Sequence, residues 1–192
     1  MRSVIVIVAT LVIMLPSVLA GGPAMGVYFT FNPEQAVYYP EVGMSFDAYI
    51  YVHTWDCMLT AVEFALEWTD PPGIIYSGFD IPEGWLNLGE PLSGIAITWF
   101  PPASDYEETH LLVCTVHFFS TDTCNDMGGS IVDVPLLIVP HPEGGGGGGA
   151  AVIGTCWPDN AMFEFETRPG YICPEVIAVR EASWGAIKDL IE

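Results

Sequence analysis

The chain has 192 residues with 24 acidic and only four basic side chains, a formal net charge of −20 at pH 7, and 51% of its residues are hydrophobic. A negative field of this size repels phosphate backbones and anionic lipid headgroups, so we expect no nucleic-acid partner and no acidic membrane surface. The length suits one well-buried domain.

The first twenty residues predict a signal peptide. Arg2 precedes an apolar run over residues 4–15, and Val18 and Ala20 occupy the −3 and −1 positions that a signal peptidase reads. A helix of that run is about 18 Å long, too short for a hydrocarbon core of about 30 Å. We therefore expect removal of residues 1–20, no stable membrane span afterwards, and an extracellular or cell-surface location, with the periplasm as an alternative.

Residues 21–180 are predicted to form a single all-β domain. Apolar and polar residues alternate in short runs separated by Pro, Gly and Asp clusters, which is typical of half-buried strands. In the clearest run, 61–68, Val62, Phe64, Leu66 and Trp68 share one face. The other runs are 27–31, 45–54, 74–79, 94–100, 110–119, 130–139, 161–167 and 175–180. Nine such strands favour a two-sheet antiparallel β-sandwich.

The run 45–54 predicts an aromatic stripe on the outside of the sandwich. Its core-facing residues are Phe46, Ala48, Ile50 and Val52, and its outward residues are Asp47, Tyr49, Tyr51 and His53, followed by Trp55. Exposed aromatic platforms stack on sugar rings or anchor protein partners. The predicted binding residues are Tyr49, Tyr51, His53 and Trp55. The alternative is that a loop, the glycine-rich segment or the tail covers the stripe, because cross-strand aromatic pairs also stabilise sheets.

Two further segments stand out by composition. Residues 144–149 are six consecutive glycines, which predict a flexible loop tip. In the tail, residues 181–192, Ser183 is a candidate N-cap. The apolar face predicted for docking comprises Trp184, Ile187, Leu190 and Ile191. A helix this short needs a docking surface, either on its own sandwich or on an export or attachment machine.

No catalytic motif is recognisable. The chain has no G-x-S-x-G sequence, and His110 and His117, seven residues apart in one predicted strand, are expected on opposite faces. The acidic pairs Glu63 with Glu67 and Glu164 with Glu166 are expected on outward faces, where they serve solubility. The sequence predicts neither an enzyme nor a cofactor.

An oxygen-rich turn follows the run 110–119. Asp122, Asn125 and Asp126 precede two glycines, but their spacing is not that of an EF-hand. We expect an Asx-type turn without a metal ion, with calcium as the alternative.

The five cysteines, Cys57, Cys114, Cys124, Cys156 and Cys173, all follow the predicted cleavage site. In an exported chain they predict disulfides, with one cysteine left over. Their spacing fits no zinc-ribbon pattern.

The strand pattern resembles a known family. From 36 to 119, a strand over 46–52, the run AVEFALEW at 61–68 and the run LLVCTVHFF at 111–119 are similar to a cohesin-type sandwich of exported bacterial proteins. The stretch 181–190 resembles the S/T-W-G-x-I/V-K-x-L ending of uncharacterised exported bacterial proteins. The resemblance implies export and a sandwich fold, and brings no known activity.

The same resemblance implies a disulfide pairing. In a cohesin-like arrangement the strand beginning near Ala61 runs antiparallel to the one ending near Phe119, which brings the flanking cysteines to one end of a sheet. The pairs implied are Cys57 with Cys124 and Cys156 with Cys173, and Cys114 is left free on the core face.

The expected function is that of a secreted or cell-surface binding or structural module, with a protein or glycan partner and no catalysis. The alternative is a carbohydrate-binding module that uses the aromatic stripe or a glycoside hydrolase that uses outward carboxylates.

Overall fold

A computed structural model describes residues 23–53, 58–103, 110–143, 152–159 and 161–174. This part of the chain is almost entirely β-structure, with a single turn of 3-10 helix at Asn125–Met127. The strands are β1 (Ala24–Tyr28), β2 (Val37–Tyr38), β3 (Ser45–His53), β4 (Met58–Glu67), β5 (Ile74–Asp80), β6 (Leu86–Glu90), β7 (Gly94–Ala103), β8 (Leu111–Ser120), β9 (Val134–Val139), β10 (Ile153–Trp157), β11 (Ala161–Glu164), β12 (Glu166–Arg168) and β13 (Gly170–Ile172).

Two sheets make up the fold, as the alternation predicted. The first has the strand order β12-β1-β3-β8-β5, and the second has the order β11-β10-β4-β9-β13-β2, with β7 also pairing with β4 and β6 pairing with β7. The all-β sandwich class is confirmed, with thirteen strands in the described ranges rather than nine. No helix in those ranges is long and apolar enough to cross a bilayer.

The core lies between the sheets and is built from the inward residues of the alternating strands. Phe64 and Leu66 of β4 and Ile50 and Phe118 of the first sheet are among its fully buried side chains. Burial of such side chains stabilises the fold by about 1.5 to 3 kcal/mol each. One continuous apolar cluster therefore holds both sheets.

A bulge in β8 changes which of its residues face outward. Ile50 pairs with Cys114, but the next residue, Tyr51, pairs with Leu112, so Val113 is an extra residue in the strand. An inserted residue reverses the alternation beyond it. The prediction that His110 and His117 lie on opposite faces is wrong, since both lie on the outer side, His110 against the ring of Tyr51.

The disulfide pairing implied by the resemblance is also wrong. Cys124 bonds Cys173, with 5.3 Å between their Cα atoms, which excludes both Cys57 with Cys124 and Cys156 with Cys173. The physical reason is that β4 and β8 lie in different sheets and do not pair with each other. Cys124, which follows β8, instead forms an isolated backbone β-bridge with Ile131, just before β9.

The remaining cysteines partly agree with expectation. Cys156 belongs to a disulfide as well, and Cys114 is free and buried, as predicted. Burial, with a smaller contribution from the charge of Asp80, raises the pKa of Cys114 to about 12, so its thiol stays protonated and packs as a small apolar side chain.

Several predicted features lie outside the described residues: the signal peptide 1–20, Trp55, Cys57, the glycine run 144–149, the strand 175–180 and the tail 181–192 with Trp184, Ile187, Leu190 and Ile191. The domain boundaries drawn from them stay predictions.

Candidate functional site

The aromatic stripe of β3 is arranged as the alternation requires, with one exception. Phe46, Ala48, Ile50 and Val52 are buried in the core, and Asp47, Tyr49 and His53 are half-buried on the other face. Tyr51, on that same outer face, is only 5% exposed.

Tyr51 is buried because neighbouring strands bring side chains over it. Its ring lies 6.1 Å from that of Tyr28 of β1 and 6.4 Å from that of His110, measured between centroids. Its hydroxyl donates a hydrogen bond to the carbonyl oxygen of Phe31. The expectation of an exposed ring at this position is therefore wrong, which removes a sugar-stacking platform there. The exposed aromatic in this region is Phe31, 72% exposed and edge-to-face with Tyr49.

His117 joins β3, β8 and β5 on the same outer face. Its Nδ1 lies 2.7 Å from Oδ1 of Asp47 and its Nε2 lies 3.1 Å from Oδ2 of Asp80. The hydrogen bond with Asp47, followed by that with Asp80, raises the pKa of His117 above its ordinary value. The imidazole of His117 thus links three strands of the first sheet through its two ring nitrogens.

We expect this link to make folding stability depend on pH. Because the folded-state pKa is raised, the stabilisation is complete below the ordinary histidine pKa of about 6.5 and is lost as the pH rises through the elevated pKa. In an NMR titration, the pKa of His117 should be higher in the wild-type protein than in the Asp47→Asn variant. The free energy of unfolding of His117→Gln should lack the pH dependence that His117 contributes. Equal pKa values in the two proteins would contradict the assignment.

The outer face of the second sheet carries exposed apolar side chains on its flanking strands. Register places its side chains in two rows across five strands, namely Leu86, Thr98, Ala61, Thr155 and Met162, and beside them Leu88, Ala96, Glu63, Ile153 and Glu164. Leu86 is 70% and Leu88 76% exposed. The central strands carry the small side chains of Ala61, Ala96, Thr98 and Thr155, whereas the flanking strands carry the larger Leu86, Leu88 and Met162, so the surface between them is a shallow groove.

Glu63 lies in the floor of this groove between two hollows. One, of about 160 Å³, is lined by Ala61, Ile153 and Met162 among others, and the other, of about 550 Å³, reaches Leu88 and His141. The Oε2 atom of Glu63 is buried and has no hydrogen-bond partner. A buried carboxylate oxygen without a donor costs free energy, so a donor that reached this oxygen on binding would remove that cost.

Most of this groove was not predicted from the sequence. The alternation in the run 61–68 correctly placed Glu63 on the outward face of its strand, but no pattern predicted β6 or β10. All five residues of β6 are exposed, so no buried alternation marks that strand. The spaced leucines Leu86 and Leu88 were the available signal.

The acidic pairs do not form one site. Glu63 and Glu67 do share the outer face of β4, whereas Glu164 belongs to β11 of the second sheet and Glu166 to β12 of the first. The buried ring of Phe165 lies between these last two.

The acidic turn after β8 is organised by Asp122. Its carboxylate accepts hydrogen bonds from the backbone N–H groups of Thr123 and Ser130 and from the Ser130 hydroxyl, which lower the pKa of Asp122. These contacts close an Asx-type turn. Within the described ranges, no cluster of three or more His, Cys, Asp or Glu side chains could hold a metal ion.

Comparison with known proteins identifies the fold. No family model matches the sequence and no curated protein matches it. Among solved structures, a non-cellulosomal cohesin from the archaeon Archaeoglobus fulgidus superposes with a TM-score of 0.52 at 11% identity, covering 84% of this chain and 96% of that one. The sixth cohesin of scaffoldin B from Acetivibrio cellulolyticus, solved with a mutant Cel5 dockerin, gives 0.51 at 9% identity, covering 80% and 99%. The sandwich is cohesin-like.

Proposed function

We propose that the chain is an exported, non-catalytic module that binds a protein partner in the groove on the outer face of its second sheet. The observation that carries the proposal is the buried, unpartnered Oε2 atom of Glu63 in the floor of an exposed apolar groove. Exposed contiguous apolar surface of this kind usually marks an interaction site.

The partner is expected to present a lysine or arginine between apolar side chains. Glu63 is the acceptor at the centre of the groove, and Glu143 and Glu164 add negative charge at its borders. The chain as a whole carries a formal charge of −20, which accelerates association with a basic surface. Leu86, Leu88 and other flanking apolar side chains then supply buried area around the ion pair.

Two further observations support this function. The Acetivibrio cohesin with the same fold was solved with a protein, a dockerin, bound to it. The disulfide between Cys124 and Cys173 suits an oxidising compartment, in agreement with the predicted signal peptide.

A peptide-display selection on the whole chain tests the groove. Enriched peptides should contain a basic residue flanked by apolar ones, and Glu63→Gln should weaken their binding at least about tenfold, equivalent to about 1.4 kcal/mol, because it removes the charge that the partner pairs with. The control is Glu67→Gln, which removes an exposed charge from the same face of β4. Peptides that bind Glu63→Gln and wild type equally, or no enrichment of basic peptides, would contradict the proposal.

A further inference from the structure

A second pocket lies on the outer face of the first sheet, away from the groove. It occupies about 300 Å³ between β1, β3 and β12, a volume at the lower end of small-molecule sites. Its chemistry comes from Tyr28, Tyr51, His53, His110 and Arg168, arranged around Gly26.

The floor of the pocket exists because residue 26 is glycine. Gly26 pairs with Tyr51 of β3 on one side and with Arg168 of β12 on the other, so these two side chains flank the glycine, which is itself buried. A Cβ atom at position 26 would come within 2.7 Å of the Tyr28 ring, which folds over the glycine. A larger residue would therefore fill the floor or displace that ring.

Arg168 gives the pocket its charge. It is the only lysine or arginine in the described ranges, and it forms no salt bridge with a described carboxylate even though the chain has 24 acids. A guanidinium presents a planar fork of donors that matches a carboxylate in a bidentate arrangement. Arg168 thus presents its guanidinium at the edge of the pocket, where it could pair with the carboxylate of a bound ligand.

The opposite wall is built from aromatic rings. The imidazoles of His53 and His110 lie 5.1 Å apart between centroids, and the Tyr51 ring meets that of His110 edge-on. Such rings pack against the apolar body of a small ligand.

We propose that this pocket binds a small carboxylate-bearing ligand, with the carboxylate on Arg168 and the rest of the molecule against Tyr28 and the two histidines. This gives Tyr51 and His53 of the predicted stripe a role as walls of a pocket rather than as exposed anchors. A sugar acid and a free carboxylate of an amino acid share this chemistry.

Isothermal titration of the whole chain at low salt with galacturonate, N-acetylalanine and galactose tests the assignment. At least one of the two carboxylates should bind and galactose should not. Binding of galacturonate alone identifies a sugar-acid site, binding of N-acetylalanine alone identifies an amino-acid carboxylate, and binding of both identifies the carboxylate as the sole determinant. Binding of neither, or of galactose as tightly, overturns the proposal.

Variants locate the site. Arg168→Gln should weaken binding at least tenfold, and Arg168→Lys should weaken it less because the charge remains without the fork. Gly26→Ala should also weaken it, because the added methyl group would displace the Tyr28 ring that forms part of the pocket. The matched control is Glu166→Gln, on the same strand, which should not weaken binding. Unchanged affinity in Arg168→Gln overturns the proposal. Glu63→Gln, on the other sheet, should leave the affinity of the pocket for the carboxylate unchanged, so the two sites are tested separately.

Discussion

Tyr51→Ala is expected to lower the free energy of unfolding by about 3 to 5 kcal/mol, the usual cost of removing a buried aromatic side chain. Tyr51 is 5% exposed and packs against Tyr28 and His110. The substitution leaves a cavity where β1, β3 and the beginning of β8 meet, and it also removes the hydrogen bond from the tyrosine hydroxyl to the carbonyl of Phe31.

Urea unfolding of the purified variant measures the effect, with Tyr49→Ala as the matched control. Tyr49 is half-buried on the same face of the same strand and contacts the exposed ring of Phe31, so its loss should cost about 1 kcal/mol. Tyr51→Phe separates the hydroxyl from the ring and should cost about 1 kcal/mol. A melting temperature for Tyr51→Ala equal to that of wild type would show that the ring is exposed in solution.

The position of Tyr51 shows what alternation can and cannot predict. Period-two patterning correctly placed Phe46, Ala48, Ile50 and Val52 in the core because the side of a strand is a local property. Whether the other side is covered depends on which strands lie alongside. The cover over Tyr51 comes from Tyr28, 23 positions earlier, and from His110, 59 positions later, which no local pattern contains.

Register is a second property that local patterning leaves open. The run 110–119 was correctly predicted as a strand, yet the extra residue Val113 moves His110 to the same side as His117. The two adjacent buried residues, Val113 and Cys114, are what a bulge leaves in a burial pattern, but in the sequence they resemble any apolar pair. The histidine pair His53 and His110 of the pocket could therefore be found only from the structure.

The groove shows a different limit of sequence patterning, since a strand without a buried apolar face cannot be predicted from alternation. β6 lies beyond β7, paired with it along one side, and is exposed along its whole length, so Leu86 and Leu88 do not look like half of a buried pattern. The chemistry of Glu63 is also invisible in the sequence. An outward glutamate is ordinarily solvated, and only the structure shows that the Oε2 atom of Glu63 is buried.

Removing the disulfide between Cys124 and Cys173 is also expected to lower the free energy of unfolding by a large amount. The two cysteines are 49 residues apart, and closing a loop of that length restricts the unfolded chain by about 4 kcal/mol in the chain-entropy model. The bond also connects the sheets, since Cys124 follows β8 of the first sheet and Cys173 follows β13 of the second. The double variant Cys124→Ala/Cys173→Ala should therefore lose about that amount.

Urea titration distinguishes this entropic effect from lost packing. Without the crosslink the unfolded chain expands and exposes more surface, so the dependence of the unfolding free energy on urea, the m-value, should increase along with the loss of stability. Cys114→Ala is the control, because Cys114 is equally buried but has no crosslink. Its removal leaves a small cavity, costs about 1 kcal/mol and should leave the m-value unchanged. The contradicting result would be a double variant that loses no more stability than Cys114→Ala and has the same m-value. That result would mean that the bond between Cys124 and Cys173 does not form in the folded protein, so that packing alone holds β8 and β13 together.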